Sequence, residues 1–145
     1  MELILWRHAE AEEGAPDLAR RLTPRGEREA ARVAGWLRQY LPAGFRVVAS
    51  PAQRAQQTAQ ALGVPFQTSP VLAPGAPPAA ILAAAGWPGA HGCALLVGHQ
   101  PDLGRAAALL VSGEARDWHI DKGGLWWIAA DKRPFVKAVL SPDLL

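Results

Sequence analysis

The chain has 145 residues, half of them apolar and 19 % charged; that length suits one domain spanning 1–145, and the composition supplies a core and excludes intrinsic disorder. Lys and Arg exceed Asp and Glu by only 15 to 13, with no basic run, which argues against nucleic acid as a partner despite a sequence pI of 9.1. The single cysteine, Cys93, excludes a disulfide framework and a multi-thiolate zinc site. No apolar stretch reaches the roughly 18 residues of a membrane span, and the N-terminus lacks a signal-peptide layout, so a cytoplasmic setting without a membrane partner is expected.

Glu2 to Trp6 reads as a short buried strand that delivers Arg7 and His8 at its C-terminal end. Thr23-Pro24 predicts a helix start, with Thr as N-cap and Pro in the first turn, where its missing N–H is no loss. Ala30, Val33, Ala34, Leu37 and Leu41 recur at helical spacing, leaving Glu27, Arg28, Arg32 and Arg38 for solvent. Arg46 to Ala49 predicts a second strand, and Ser50-Pro51-Ala52-Gln53 reads as a capping box with a first-position Pro, opening a helix to about Leu62. Val64 to Thr68 is a candidate short strand, and Pro77-Pro78 open an Ala-rich helix to about Ala85. Ala94 to Val97 is a continuous apolar strand ending at Gly98-His99, followed after Pro101 by a helix to about Val111. Leu125 to Ala129 and Phe135 to Leu140 read as two final strands. This alternation predicts an α/β fold, a three-layer α/β/α sandwich around a mostly parallel sheet.

In such a sheet ligands bind outside the carboxyl ends of the strands. Three predicted strand ends carry chemistry: Arg7-His8, Arg54 one helical turn beyond the second strand, and His99. Taken singly, an Arg at a strand end is more often solvated than catalytic, and a lone His beside Gly is usually a loop residue. Together, two Arg and two His near a helix N-terminus make an electropositive pocket suited to phosphate. No Asp/Glu/His cluster shows metal-ligand spacing, so neither a metal nor another cofactor is expected. His91 and His119 read as surface or loop residues, and the tryptophans Trp36, Trp87, Trp118, Trp126 and Trp127 as packing residues.

These residues also carry a resemblance. Leu5-Trp6-Arg7-His8-Ala9-Glu10 resembles the Arg-His strand end of the histidine phosphatase superfamily, and Leu22-Thr23-Pro24-Arg25-Gly26 its Leu-Thr-x-x-Gly helix start. Ser50 to Thr58 resembles its Ser-x-x-x-Arg-Ala-x-x-Thr helix, and Val97-Gly98-His99 its second-histidine strand end. The order is the family's, over roughly residues 1 to 110. The Arg-His-Ala opening and short length are most similar to the small SixA-type phosphohistidine phosphatases. The resemblance implies a phosphoglycerate mutase-like fold and a phosphatase with His8 as nucleophile, Arg7 and Arg54 gripping the phosphoryl oxygens and His99 donating a further hydrogen bond. Asp17 and Arg20 stand at a spacing some small members show, so Arg20 either reaches the phosphate or pairs with Asp17.

An absence bears on the substrate. Superfamily members that cleave monoesters typically bring an acid from the segment between the second Arg and the second His, and between Arg54 and Asp102 this chain has no Asp or Glu. An even spread of acids would place about four there. General acid help is worth on the order of 10² to 10⁴ for a poor leaving group, whereas an imidazole leaves without it. A phosphohistidine-bearing protein is therefore the expected partner. Asp102, Glu10 and Glu13 remain candidate acids, though Asp102 suits a helix first turn and the glutamates a loop. The alternatives are a small-molecule phosphate monoesterase of the same superfamily (sugar, nucleotide-like or cobalamin-pathway phosphate) and a non-catalytic phosphoprotein-binding module.

Overall fold

The computed structural model describes residues 1–145. Its strands are β1 (Glu2–Arg7), β2 (Arg46–Ala49), β3 (Gln67–Thr68), β4 (Cys93–Gly98), β5 (Leu125–Ala130) and β6 (Pro134–Leu140). Its α-helices are α1 (Pro24–Tyr40), α2 (Gln53–Gln60), α3 (Pro78–Ala84) and α4 (Asp102–Ser112). The sheet order is β3-β2-β4-β1-β5-β6. The first four strands in that order run parallel, while β5 and β6 extend the β1 side antiparallel. β1 and β4 are the central pair, and their continuous apolar sequences reflect cover on both faces.

Alternation along β1 divides the core. Ile4 and Trp6 face Val33, Leu37, Ala55 and Ala59 of α1 and α2, while Leu3 and Leu5 face Ile81 of α3 and Leu103, Ala106 and Ala107 of α4. The result is the expected three-layer sandwich. Thr23 caps α1, its Oγ1 accepting the Gly26 N–H at 2.9 Å, and Ala30, Val33, Ala34 and Leu37 form the buried face. The later strands and helices fall within a residue or two of the sequence reading, as expected for element ends.

Two segments differ. Ser50 does not cap α2: the N-cap is Ala52, the helix starts at Gln53 and it ends at Gln60 rather than near Leu62. The Ser50 backbone N–H is tied to the Val97 carbonyl at 3.0 Å, and its hydroxyl lies 2.8 Å from His99. Tertiary partners thus hold the residue that local spacing assigned to a cap. The Val64 to Thr68 segment is a strand only at Gln67–Thr68, because β2 offers register partners there alone, at Val48 and Ala49.

The start of α1 presses on the loop that follows β1. A Cβ at Gly26 would collide with the Glu10 carbonyl oxygen, and that same oxygen accepts the Thr23 backbone N–H at 3.0 Å. Gly26→Ala should therefore force helix and loop apart and destabilise the protein by about 1–3 kcal/mol. A lower denaturant midpoint at constant slope is the expected measurement; an unchanged midpoint would show that the loop can give way.

Candidate active site

Parallel register sets the site. Arg7 pairs with Gly98 across β1 and β4, and Ala49 with Val97 across β2 and β4. The next residues, His8, Ser50 and His99, therefore emerge at one rim. The His8 N–H donates to the Gly98 carbonyl at 3.0 Å, and the His8 and His99 rings lie 5.1 Å apart between centroids. Arg54, buried at 4 % exposure on the first turn of α2, brings its Nε to 3.4 Å from His8 Nε2. Thr58, one turn further on, accepts the Ala9 N–H at 3.1 Å and donates to the Arg54 carbonyl at 2.8 Å. Its hydroxyl thus fastens α2 to the residue after His8.

His8, Arg7, Arg54, His99 and Arg20 all line one pocket of about 230 Å³, with Ala11, Glu13, Pro74, Gln100 and Lys122. Four cationic side chains and one carboxylate make it strongly electropositive. Arg7 stands at its edge, its Nη1 donating to the Ile120 carbonyl at 2.9 Å and its buried Nε without a partner in the chain. The same side chain also lines a neighbouring charged cleft of about 430 Å³ with Glu10, Glu29, His119 and Asp121. That larger cleft contains neither His8 nor His99, and both line the smaller pocket.

Arg20 pairs with Asp17 and at the same time lines the pocket. Asp17 Oδ1 accepts from Arg20 Nη1 at 3.1 Å, and Asp17 Oδ2 accepts from Arg54 Nη2 at 3.1 Å. The Asp17 carbonyl takes a further bond from Arg54 Nη1 at 2.8 Å. Asp17 thereby holds both guanidinium groups on one side of the pocket, and those bonds, Arg20 first, keep its carboxyl below the usual carboxylate range. Each guanidinium has five N–H groups, so donors remain for a ligand.

The candidate acids separate clearly. Asp102 is buried, and its Oδ2 accepts the Gly75 and Ala76 backbone N–H groups at 2.8 and 3.2 Å. It pins the loop that carries Pro74 and is not a pocket wall. Glu10 Oε2 accepts from the Thr23 hydroxyl at 2.8 Å and faces the larger cleft. Glu13 alone lines the pocket, with an exposed side chain. His119 is exposed and pairs with Asp121, and His91 is exposed, both as expected. Sequence spacing overlooked Lys122 and Gln100, and it marked Ser50 and Thr58 as motif positions without foreseeing their bonds to His99 and Ala9. A signal for Lys122 was the Gly123-Gly124 pair: Gly123 donates to the His8 carbonyl at 3.0 Å and Gly124 accepts from the Arg7 N–H at 2.9 Å, wrapping the turn around the strand end.

Comparison with known proteins gives a family and a fold for the chain. Residues 3–75 match the Histidine phosphatase superfamily (branch 1). An uncharacterized protein of Mycobacterium tuberculosis is 38 % identical over 116 residues, covering 77 % of this chain and 73 % of that protein. Among solved structures, the protein histidine phosphatase SixA complexed with tungstate superposes with a TM-score of 0.81 at 26 % identity, over 99 % of both chains. A Nakamurella multipartita protein proposed to be phosphohistidine phosphatase SixA gives 0.82 at 30 % identity, over 97 % of this chain and 95 % of that one.

Burial governs the charge state of the two imidazoles. The His8 pKa falls from 6.5 to about 4, chiefly by desolvation and then by the charges of Arg54, Arg7 and Arg20, partly offset by the bond to the Ala9 carbonyl. The His99 pKa falls to about 3, again chiefly by desolvation and then by His8 and Arg54. Both rings are neutral at pH 7. The unfolded chain binds more protons than the native one once the pH drops below about 6.5, so stability falls with acidification from there toward the folded values. Imidazole NMR signals of His8 and His99 should stay flat from about pH 8 to 5, with the unfolding free energy declining below about 6.5. A His8 midpoint near 6.5 would contradict this.

Proposed function

The chain belongs to the histidine phosphatase superfamily, and on that premise we propose that it is a phosphatase working through a phosphohistidine intermediate on His8, with phosphohistidine on a protein as its preferred substrate. The observation that carries the reading is the orientation of His8. Its Nδ1 lies 2.7 Å from the Ala9 carbonyl oxygen. A carbonyl only accepts, so the ring proton sits on Nδ1 and the lone pair on Nε2, where it accepts a long hydrogen bond from Arg54 Nε at 3.4 Å that an incoming phosphorus would displace. A neutral ring with that lone pair facing an electropositive pocket is a nucleophile ready for phosphorus.

In the first step Nε2 of His8 bonds to phosphorus while the P–N bond to the substrate imidazole breaks. The departing ring keeps the bonding pair and takes a proton from solvent. Water then attacks the phosphorus, the bond to His8 Nε2 breaks, and inorganic phosphate leaves. Arg7, Arg20 and Arg54 hold the non-bridging oxygens, a task suited to the guanidinium fork, and His99 donates to the transferring group. These cations supply the positive charge that a metal otherwise brings, so the reaction is read as metal-independent.

Support for the substrate is chemical. The segment between Arg54 and Asp102 holds no acid, and Asp102 and Glu10 are engaged elsewhere. A leaving group that needs no proton donor fits such a pocket better than an alkoxide. The SixA structures, protein histidine phosphatase among them, are similar over nearly their whole length, and tungstate, bound in one of them, is a tetrahedral oxyanion like phosphate. One observation favours a second reading: Glu13 lines the pocket, and as a general acid it would serve a small-molecule phosphate monoester.

Comparing kcat/KM for a phosphohistidine peptide and a sugar phosphate separates the two. The peptide should be preferred by about 10²-fold or more, with activity surviving chelator and Glu13→Gln leaving peptide turnover within a few-fold. Equal or better turnover of the sugar phosphate, lost in Glu13→Gln, would establish the second reading instead. His8→Ala should retain the fold and lose turnover and the acid-labile phosphoenzyme; a label trapped on Ser would overturn the mechanism.

A further inference from the structure

We propose that Ser50 is a positioning residue that fixes the tautomer of His99, so that a neutral His99 presents Nδ1–H, and not Nε2–H, to the phosphoryl group. This deepens the phosphatase reading and rests on it for its catalytic consequence. Ser50 is fully buried. Its Oγ has two neighbours within hydrogen-bond distance: the Ala52 backbone N–H, which it accepts at 3.2 Å, and His99 Nε2 at 2.8 Å. A backbone N–H only donates, so the hydroxyl proton cannot be used there. The one acceptor within reach is His99 Nε2, provided that this nitrogen carries its lone pair. With Nε2–H instead, two donors would point at Oγ and the hydroxyl proton would be left buried without a partner, which costs on the order of 1–3 kcal/mol.

The other ring nitrogen completes the case. Nδ1 of His99 is buried and has no partner in the chain, although His99 itself is a wall of the pocket and its ring packs 5.1 Å from that of His8. A proton placed there by Ser50 is the hydrogen-bond donor that a phosphoryl oxygen needs. Because the ring is neutral, its ability to donate depends on where its one proton resides. Ser50 thus does for His99 what the Ala9 carbonyl does for His8, with the opposite sense: the carbonyl frees a lone pair on the nucleophile, and the hydroxyl frees an N–H on the stabiliser.

The test begins with the unliganded wild-type protein. Imidazole ¹⁵N and two-bond ¹H–¹⁵N correlations of His99 should show a protonated Nδ1 and a bare Nε2 at neutral pH. Ser50→Ala should shift the proton toward Nε2 and lower kcat by about 10²-fold, the usual scale for losing one transition-state donor, with a smaller effect on KM. Ser50→Thr, which keeps the hydroxyl, should restore both the tautomer and most of kcat. Finding Nε2–H in the wild type overturns the inference whatever the variants do, and so does a Ser50→Ala protein with unchanged tautomer. The spectra need no substrate, so an inactive protein with the expected tautomer would refute the phosphatase reading and leave the assignment of the proton intact.

Discussion

The site depends on the hydrogen-bonded register of three parallel strands. β1 and β4 have buried centres and β2 buries Val47 and Ala49, and sliding any of them by one residue would turn its apolar set from one helix layer toward the other. That constraint fixes where each strand stops, and so where His8, Ser50 and His99 begin. Their meeting is a by-product of core packing in the middle of the sheet. The functional rim inherits its precision from apolar residues such as Leu5, Val97 and Ala49, none of which has any chemistry to offer.

Burial of the rim has an electrostatic consequence. His99 and Arg54 are buried and His8 is half-buried, and desolvation keeps both rings neutral, so the positive charge of the pocket comes from its arginines and Lys122. Asp17 offsets part of that charge from outside the pocket, bridging Arg20 and Arg54 while itself half-exposed. The arrangement sets guanidinium groups beside two imidazoles, each with one ring nitrogen at hydrogen-bond distance from a neighbouring oxygen.

Most of the architecture was legible because it rests on periodicity. The buried face of α1, the continuous apolar runs of β1 and β4, and the Pro-marked starts of α1, α3 and α4 are local signals, and tertiary structure leaves them in place. The pocket residues Arg7, His8, Arg54 and His99 were legible because strand ends carry polar residues for a reason. Ser50 was misread, since Ser-Pro-Ala-Gln satisfies a local rule while a histidine 49 positions away claims the hydroxyl. Asp102 looked like a dipole-matched first-turn acid, and only the folded loop at Gly75 and Ala76 shows its use. Gln100 follows His99 directly and Lys122 precedes the Gly123-Gly124 pair, but that both side chains line the pocket follows from the folded turns that carry them.

Thr58 joins the two halves of the site at a single atom. Its Oγ1 is bonded on one side to the residue after His8 and on the other to the backbone carbonyl of Arg54. A strain on the loop after β1 at Ala9 is therefore passed to the start of α2 through one side chain, without going through the sheet. That shared tether restrains the spacing between His8 Nε2 and Arg54 Nε, 3.4 Å in this structure, through the main chain on either side of it.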